Sequence, residues 1–203
     1  MEIMRILPLA HNPALKNTTR AHLLGNDIPQ ITAEVERLAT ELMELATRQH
    51  FAYWLAVGAI LCGWARSASG EAVEGLTLIE DGIRTARATG GMRGVTYRLA
   101  LKAEALHLAA RTPEALETIQ QAEALAESFD EGWWRAELQR LRGVFLASLG
   151  AEEAEVEAAF REAIATAQQQ KSMPLEKRAE ATYAEYRRQK ASRSDARKLR
   201  LPP

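Results

Sequence analysis

The sequence predicts an all-α protein, specifically an α-solenoid of antiparallel helix pairs forming a right-handed superhelix with a repeat near 40 residues. Three observations lead there. Alanine occurs 37 times while Val and Ile are sparse, which favours helix by intrinsic propensity. No proline stands between Pro29 and Pro113, so nothing there breaks a helix from within. The chain also matches itself in a register of 40: Leu61, Leu101 and Leu141 recur at that interval, each followed two residues later by a small one, Gly63, Ala103 and Gly143.

Other positions keep the beat. Trp54 and Trp134 lie 80 apart, Gly75 and Ala115 lie 40 apart, and so do Gly82 and Ala122. Ile79, Ile119 and Phe160 follow once a single residue is inserted between Ala151 and Glu155. Within a unit the apolar spacing is helical, as in Leu138, Leu141, Phe145 and Leu149, then Val156, Phe160, Ala163, Ile164 and Ala167 after Gly150.

This pattern places helices at 31–49, then 51–68 with 71–89, 92–110 with 113–128, 131–149 with 152–170, and 174–190 with a short 194–200. The punctuation between them is Gly70, Gly90-Gly91 and Gly150 as C-terminal caps, and Thr112-Pro113 as an N-cap and first-turn pair. Residues 1–30 read as a poorly defined segment with a short helix over Thr19–Gly25, and Asn26–Pro29 as a turn. Residues 31–201 read as a single helical-repeat domain with units near 51–90, 91–129, 130–171 and a truncated 172–201. Small residues at 63, 103 and 143 let the two helices of a hairpin approach closely. One hairpin cannot offset its own chain entropy, so the core must come from stacking.

Composition narrows the function. Lys plus Arg total 26 against 27 Asp plus Glu, a balance without the broad basic field of a general nucleic-acid binder. The single Cys62 excludes an internal disulfide and any multi-cysteine metal site, and a cytoplasmic setting is expected. No apolar run approaches a membrane span. The nucleotide-loop, zinc-protease and nucleophile-elbow signatures are all missing. His11, His22, His50 and His107 are scattered with no ligand spacing between them. No catalytic residue, metal or cofactor is therefore expected, and Cys62 reads as a buried inert thiol. The acids Glu152, Glu153, Glu155 and Glu157 read as favourable charges at a helix start.

Leu61-Cys62-Gly63 with Gly70, Gly75, Ile79 and Gly82 resembles a tetratricopeptide repeat, as do Leu141, Gly143, Gly150, Phe160 and Ala163. The intervening unit has Ala103 and Ala110 for the glycines, with Ala115, Ile119 and Ala122. Phe51–Ala56 with Gly63-Trp64-Ala65, Arg87–Gly90, and Trp133–Gly143 more specifically resemble the tetratricopeptide C-terminal region of bacterial adenylate/guanylate cyclase-type signalling ATPases. Over residues 31–198 the resemblance implies a part in signalling or regulation. With neither a cyclase domain nor a phosphate-binding loop, the chain reads as a split-off or truncated relative.

The resemblance also implies that the first helix of each pair lines the inner curve. The inward positions are then Val57, Ile60, Trp64 and Ser67; Tyr97, Ala100, Glu104 and His107; Glu137, Arg140, Val144 and Ala147; Arg178, Ala181, Glu185 and Arg188. Trp64, Tyr97, Glu104, His107, Glu137, Arg140, Arg178 and Arg188 are the candidate partner-binding residues. Trp54 and Trp134, at one repeat position, should pack between units, while Trp64 and Trp133 are freer to be exposed. A surface that begins aromatic and ends charged suits a protein or peptide segment with an apolar anchor. A small-ligand sensor with a cavity between Trp64, Tyr97 and His107 is the alternative, and an inactive enzyme remnant a third reading. Homo-oligomerisation is expected through the truncated end, where Tyr183 and Leu199 lack a cover.

Overall fold

A computed structural model describes residues 28–91, 93–129 and 132–198. The expected helix over Thr19–Gly25 and Leu199 both lie outside these residues. The described chain is all-α, with eight α-helices: α1 (Ile28–Arg48), α2 (Ala52–Ala68), α3 (Ala72–Ala88), α4 (Val95–Leu108), α5 (Thr112–Ser128), α6 (Arg135–Leu149), α7 (Glu153–Gln169) and α8 (Met173–Lys198). A short 3-10 turn, Gly132–Trp134, precedes α6. The chain forms two compact units, one ending at Trp134 and the other beginning at Arg135.

Most helix bounds fall within two residues of those expected. Helix α1 starts earlier because Pro29 is accommodated in its first turn, where no N–H is required. Helix α4 starts later because Gly94 adopts a left-handed φ of 74° and holds the chain out of helix until Val95. The largest difference is at the end. The expected break before residue 194 does not exist, and α8 continues without interruption to Lys198. Lys190-Ala191-Ser192-Arg193 contains neither Gly nor Pro, so nothing in that stretch stops a helix.

One closure recurs in the turns. His50, Gly70, Gly90, Ala110, Gly150 and Lys171 all have φ between 53° and 105°. The next residue's N–H then reaches back to the fifth preceding carbonyl: Phe51 to Ala46 at 2.8 Å, Glu71 to Arg66 at 3.0 Å, Gly91 to Ala86 at 3.0 Å, Arg111 to Leu106 at 2.8 Å, Ala151 to Leu146 at 3.0 Å, and Ser172 to Ala167 at 2.9 Å. This is the Schellman closure. Half of these positions are not glycine, so they carry the steric cost of a Cβ in the left-handed region.

In the first unit, α2 pairs with α3 and α4 with α5, while α1 packs along α2. The α2–α3 crossing is close. A Cβ on Gly63 would lie 2.5 Å from the Gly75 carbonyl oxygen, and one on Gly82 would lie 2.8 Å from that of Ala56. In the second unit α6, α7 and α8 pack together. There a Cβ on Gly143 would lie 2.8 Å from the Phe160 ring. Leu61, Leu101 and Leu141 are all buried, at 8%, 4% and 3% exposure, so the 40-residue register marks equivalent core positions.

Replacing Ala110 with Gly should raise the unfolding free energy by about 1 kcal/mol, and Gly150→Ala should lower it by about 1 kcal/mol. Urea denaturation measures both. A Cβ at Gly150 meets nothing within 4 Å, so the second change isolates the backbone cost.

Candidate functional site

In the first unit the candidate positions on α2 and α4 are brought together by the repeat itself. Trp64 Nε1 donates to Glu104 Oε2 at 2.7 Å, across a separation of 40 residues. Trp64 is 7% exposed, which corrects the expectation of a freely exposed indole: an acid one repeat later satisfies its N–H, so the ring can pack. Glu104 and His107 are half-buried on α4. His107 Nδ1 lies 3.0 Å from Thr112 Oγ1 at the start of α5. Burial lowers the His107 pKa below its ordinary value, and the Glu104 carboxylate opposes that shift only in part.

Two turns before Glu104, Tyr97 is half-buried on the same helix. It meets Trp134 edge-on at 5.2 Å between ring centroids and lies 6.2 Å from Trp133. Trp133 is 50% exposed, as its sequence position suggested. Trp134, half-buried, packs on both Tyr97 and Trp133. The surface along α4 therefore runs from an aromatic ledge at Tyr97 and Trp133 to a polar end at Glu104 and His107.

Not every expected inward position faces outward. Ile60 and Ser67 are buried at 1% and 2%, Ile60 against Gly82 and Ser67 against Gly75. They belong to the seam between α2 and α3.

In the second unit Glu137, Arg140 and Arg178 are brought together, but in the interior. Their exposures are 3%, 7% and 8%. Arg140 Nη2 and Nε donate to the Glu137 carboxylate at 2.7 and 3.0 Å, and Arg178 Nη2 lies 3.3 Å from Glu137 Oε1. Arg140 Nη1 reaches Thr182 Oγ1 at 3.4 Å. A charge-assisted, bidentate arrangement of this kind is what makes buried ions tolerable. Arg188 differs, being exposed and paired locally with Glu185. Tyr183 is half-buried and stacks on Phe160 at 5.5 Å.

Sequence reasoning missed Arg98, which is 4% exposed. Its guanidinium donates to the carbonyls of Arg93 at 2.8 Å and Gly91 at 2.7 Å, and to the Tyr53 hydroxyl at 3.3 Å. Tyr53 in turn donates to the Arg93 carbonyl at 3.4 Å. The overlooked signal was the interval, since Tyr53 and Arg93 are 40 apart. Cys62 is buried, and burial pushes its thiol pKa up.

A groove of about 590 Å³ is lined by Met43, Leu55, Cys62, Arg66 and Leu78 in the first unit, and one of about 440 Å³ by Val144, Phe160, Thr182, Glu185 and Tyr186 in the second. Neither is lined by Trp64, Tyr97 or His107. Among the described residues no group of three His, Cys, Asp or Glu is placed to hold a metal, and no helix is long and apolar enough to cross a membrane.

No family model matches the chain. An uncharacterized protein of Rhizobium meliloti (strain 1021) is 26% identical over 172 residues, covering 84% of this chain; the chain spans 16% of that protein's length. Among solved structures, Bacillus thuringiensis PlcR in complex with the peptide PapR7 and DNA aligns with a TM-score of 0.60 at 20% identity, covering 81% of this chain and 57% of that one. The likeness supports a tetratricopeptide-like helical fold.

Glu137→Ala should destabilise the protein by about 3 kcal/mol, because two buried guanidinium groups lose their shared carboxylate. Thermal and urea unfolding measure it. For His107 the folded pKa lies below the unfolded 6.5, so the unfolded chain binds more protons as pH falls. Its contribution is fully present above about pH 6.5 and is lost as pH drops through the folded value. His107→Gln should flatten that part of the stability–pH curve.

Proposed function

We propose that the chain is a non-catalytic helical-repeat module for protein–protein interaction in bacterial signalling or regulation, holding a segment of a partner on the first-helix side of its repeats. The observation that carries this reading is the graded surface of α4, aromatic at Tyr97 and Trp133 and polar at Glu104 and His107. Such a surface offers a peptide an apolar anchor at one end and a hydrogen-bonding end at the other. The fold resembles that of PlcR, whose structure holds the peptide PapR7 and DNA. A formal charge of -1 favours a peptide over nucleic acid as the partner here. The cyclase-type resemblance of the Trp-rich segments supports a bacterial signalling context, and the missing catalytic signatures support binding without turnover.

Trp133 and Tyr97, the aromatic members of this surface, are the residues to test, since Trp64 and Arg140 are interior. Trp133→Ala should weaken capture of a crosslinked partner from bacterial lysate by about tenfold, equivalent to about 1.4 kcal/mol, with the melting temperature unchanged. Tyr97→Ala should act in the same direction. Capture unchanged by both substitutions would reject this surface.

A further inference from the structure

Corresponding positions on successive first helices meet in both units. Trp64 of α2 donates its ring N–H to Glu104 of α4, 40 residues on, at 2.7 Å. Glu137 of α6 meets Arg178 of α8 at 3.3 Å, and the single inserted residue sets these two 41 apart. The same register carries the Trp64 and Glu104 positions to Val144 on α6 and Glu185 on α8. The second unit therefore keeps the acid and replaces the indole with a much smaller side chain.

Val144 and Glu185 both line the groove of about 440 Å³, with Ala147, Phe160, Thr182 and Tyr186. Its walls are α6, α7 and α8, three helices of one compact unit. Val144, Ala147 and Tyr186 are half-buried, and the Phe160 ring lies 5.7 Å from that of Tyr186, so two aromatic rings border the space. Glu185 accepts a hydrogen bond from Gln189 Nε2 at 2.8 Å and pairs with Arg188. The Gln189 bond, aided by Arg188, holds the Glu185 carboxyl below the usual carboxylate range. A carboxylate has about four acceptor sites, so these two partners leave it able to accept another donor. The other charged groups at the groove, Glu153 and Lys190, pair with each other.

We infer that this groove accepts a tryptophan side chain of a partner peptide, whose indole takes the place that Trp64 fills in the first unit and donates its ring N–H to Glu185, an assignment that rests on reading the chain as a module that holds a peptide. Space, lining and charge agree on this group. Valine ends where an indole would continue, and about 440 Å³ lies within the roughly 300–1,000 Å³ of sites that enclose small organic groups. Phe160 and Tyr186 supply aromatic contact for a flat ring. The carboxylate is complementary in charge to a polarised N–H, and it removes the cost of burying that N–H without an acceptor. A phenyl ring would fill the same space and leave Glu185 without its donor.

The test titrates the full chain with N-acetyl-5-fluorotryptophanamide, read by fluorine NMR, and with its ring-N-methyl derivative, which lacks the N–H. The first probe should bind saturably with Kd below about 1 mM, and about tenfold more tightly than the methylated one. Glu185→Ala should abolish that preference, so that the two probes bind alike. Val144→Trp, which supplies the indole from the chain itself as Trp64 does in the first unit, should abolish binding of both. Circular dichroism checks that each variant folds, and Glu185→Ala decides the matter if Val144→Trp does not. No saturable binding, equal affinity of the two probes for the parent, or undiminished binding by folded Val144→Trp would overturn the proposal. Tighter binding of 5-fluoroindole than of the amide would also overturn it, by giving the groove to a free small molecule. The probe needs no partner protein, so its failure is distinct from a failure of capture through Trp133 and Tyr97.

Discussion

The left-handed residue that ends one helix and aims the next sets the scale for the rest of the structure. Helices and the turns that close them mark a beat of 20 at His50, Gly70, Gly90 and Ala110 in the first unit, and of 21 from Gly150 to Lys171 in the second. A hairpin of two such helices is the 40-residue repeat. Because the beat holds through the first unit, a residue and its counterpart 40 positions later reach hydrogen-bonding distance there. Trp64 with Glu104, and the Tyr53 hydroxyl with the Arg93 carbonyl, are direct results. A turn one residue longer would displace each helix by about 1.5 Å and rotate it by about 100°, which would separate both pairs.

The interior polar groups exploit this spacing. Arg98 satisfies turn carbonyls that would otherwise be covered by its own side chain, and Glu137 holds two guanidinium groups at once. Such contacts contribute little net free energy compared with apolar packing, because desolvation offsets much of the Coulomb attraction. They are sensitive to misalignment, since a shifted helix leaves an ion buried and unsatisfied. The aliphatic core built around Leu61, Leu101 and Leu141 supplies the burial, and the polar contacts select which helix faces which.

The repeat, the helix order and the glycine closures were legible from the sequence because each depends on local chemistry that a single residue type reveals. Gly70, Gly90 and Gly150 announce a left-handed position. His50, Ala110 and Lys171 occupy the same conformation and announce nothing, since their strain is offset by packing elsewhere. The continuous α8 was misread because Ser192 and Ser194 resemble turn residues when neighbours are unknown. The candidate surface was half legible. Tyr97, Glu104, His107 and Arg188 lie half-buried or exposed, whereas Trp64, Glu137, Arg140 and Arg178 are interior. A charged residue at a helical position looks the same in sequence whether it meets solvent or an opposite charge one turn away or on a neighbouring helix, and only the packed helices separate those cases.

A chain built from near-identical hairpins must avoid pairing the wrong helices, because small residues at Gly63, Ala103 and Gly143 and large ones at Ile79, Ile119 and Phe160 suit several combinations. Apolar packing alone discriminates weakly among such alternatives. Formal charge alternates along the helices, α1 −2, α2 +1, α3 −1, α4 +1, α5 −4, α6 +2, α7 −3 and α8 +4, which disfavours pairing two first helices or two second helices. Private contacts disfavour other mispairings. The Trp64–Glu104 bond belongs to the first unit and the Glu137–Arg140–Arg178 cluster to the second, so exchanging their helices would bury an indole N–H or a carboxylate with nothing to bond.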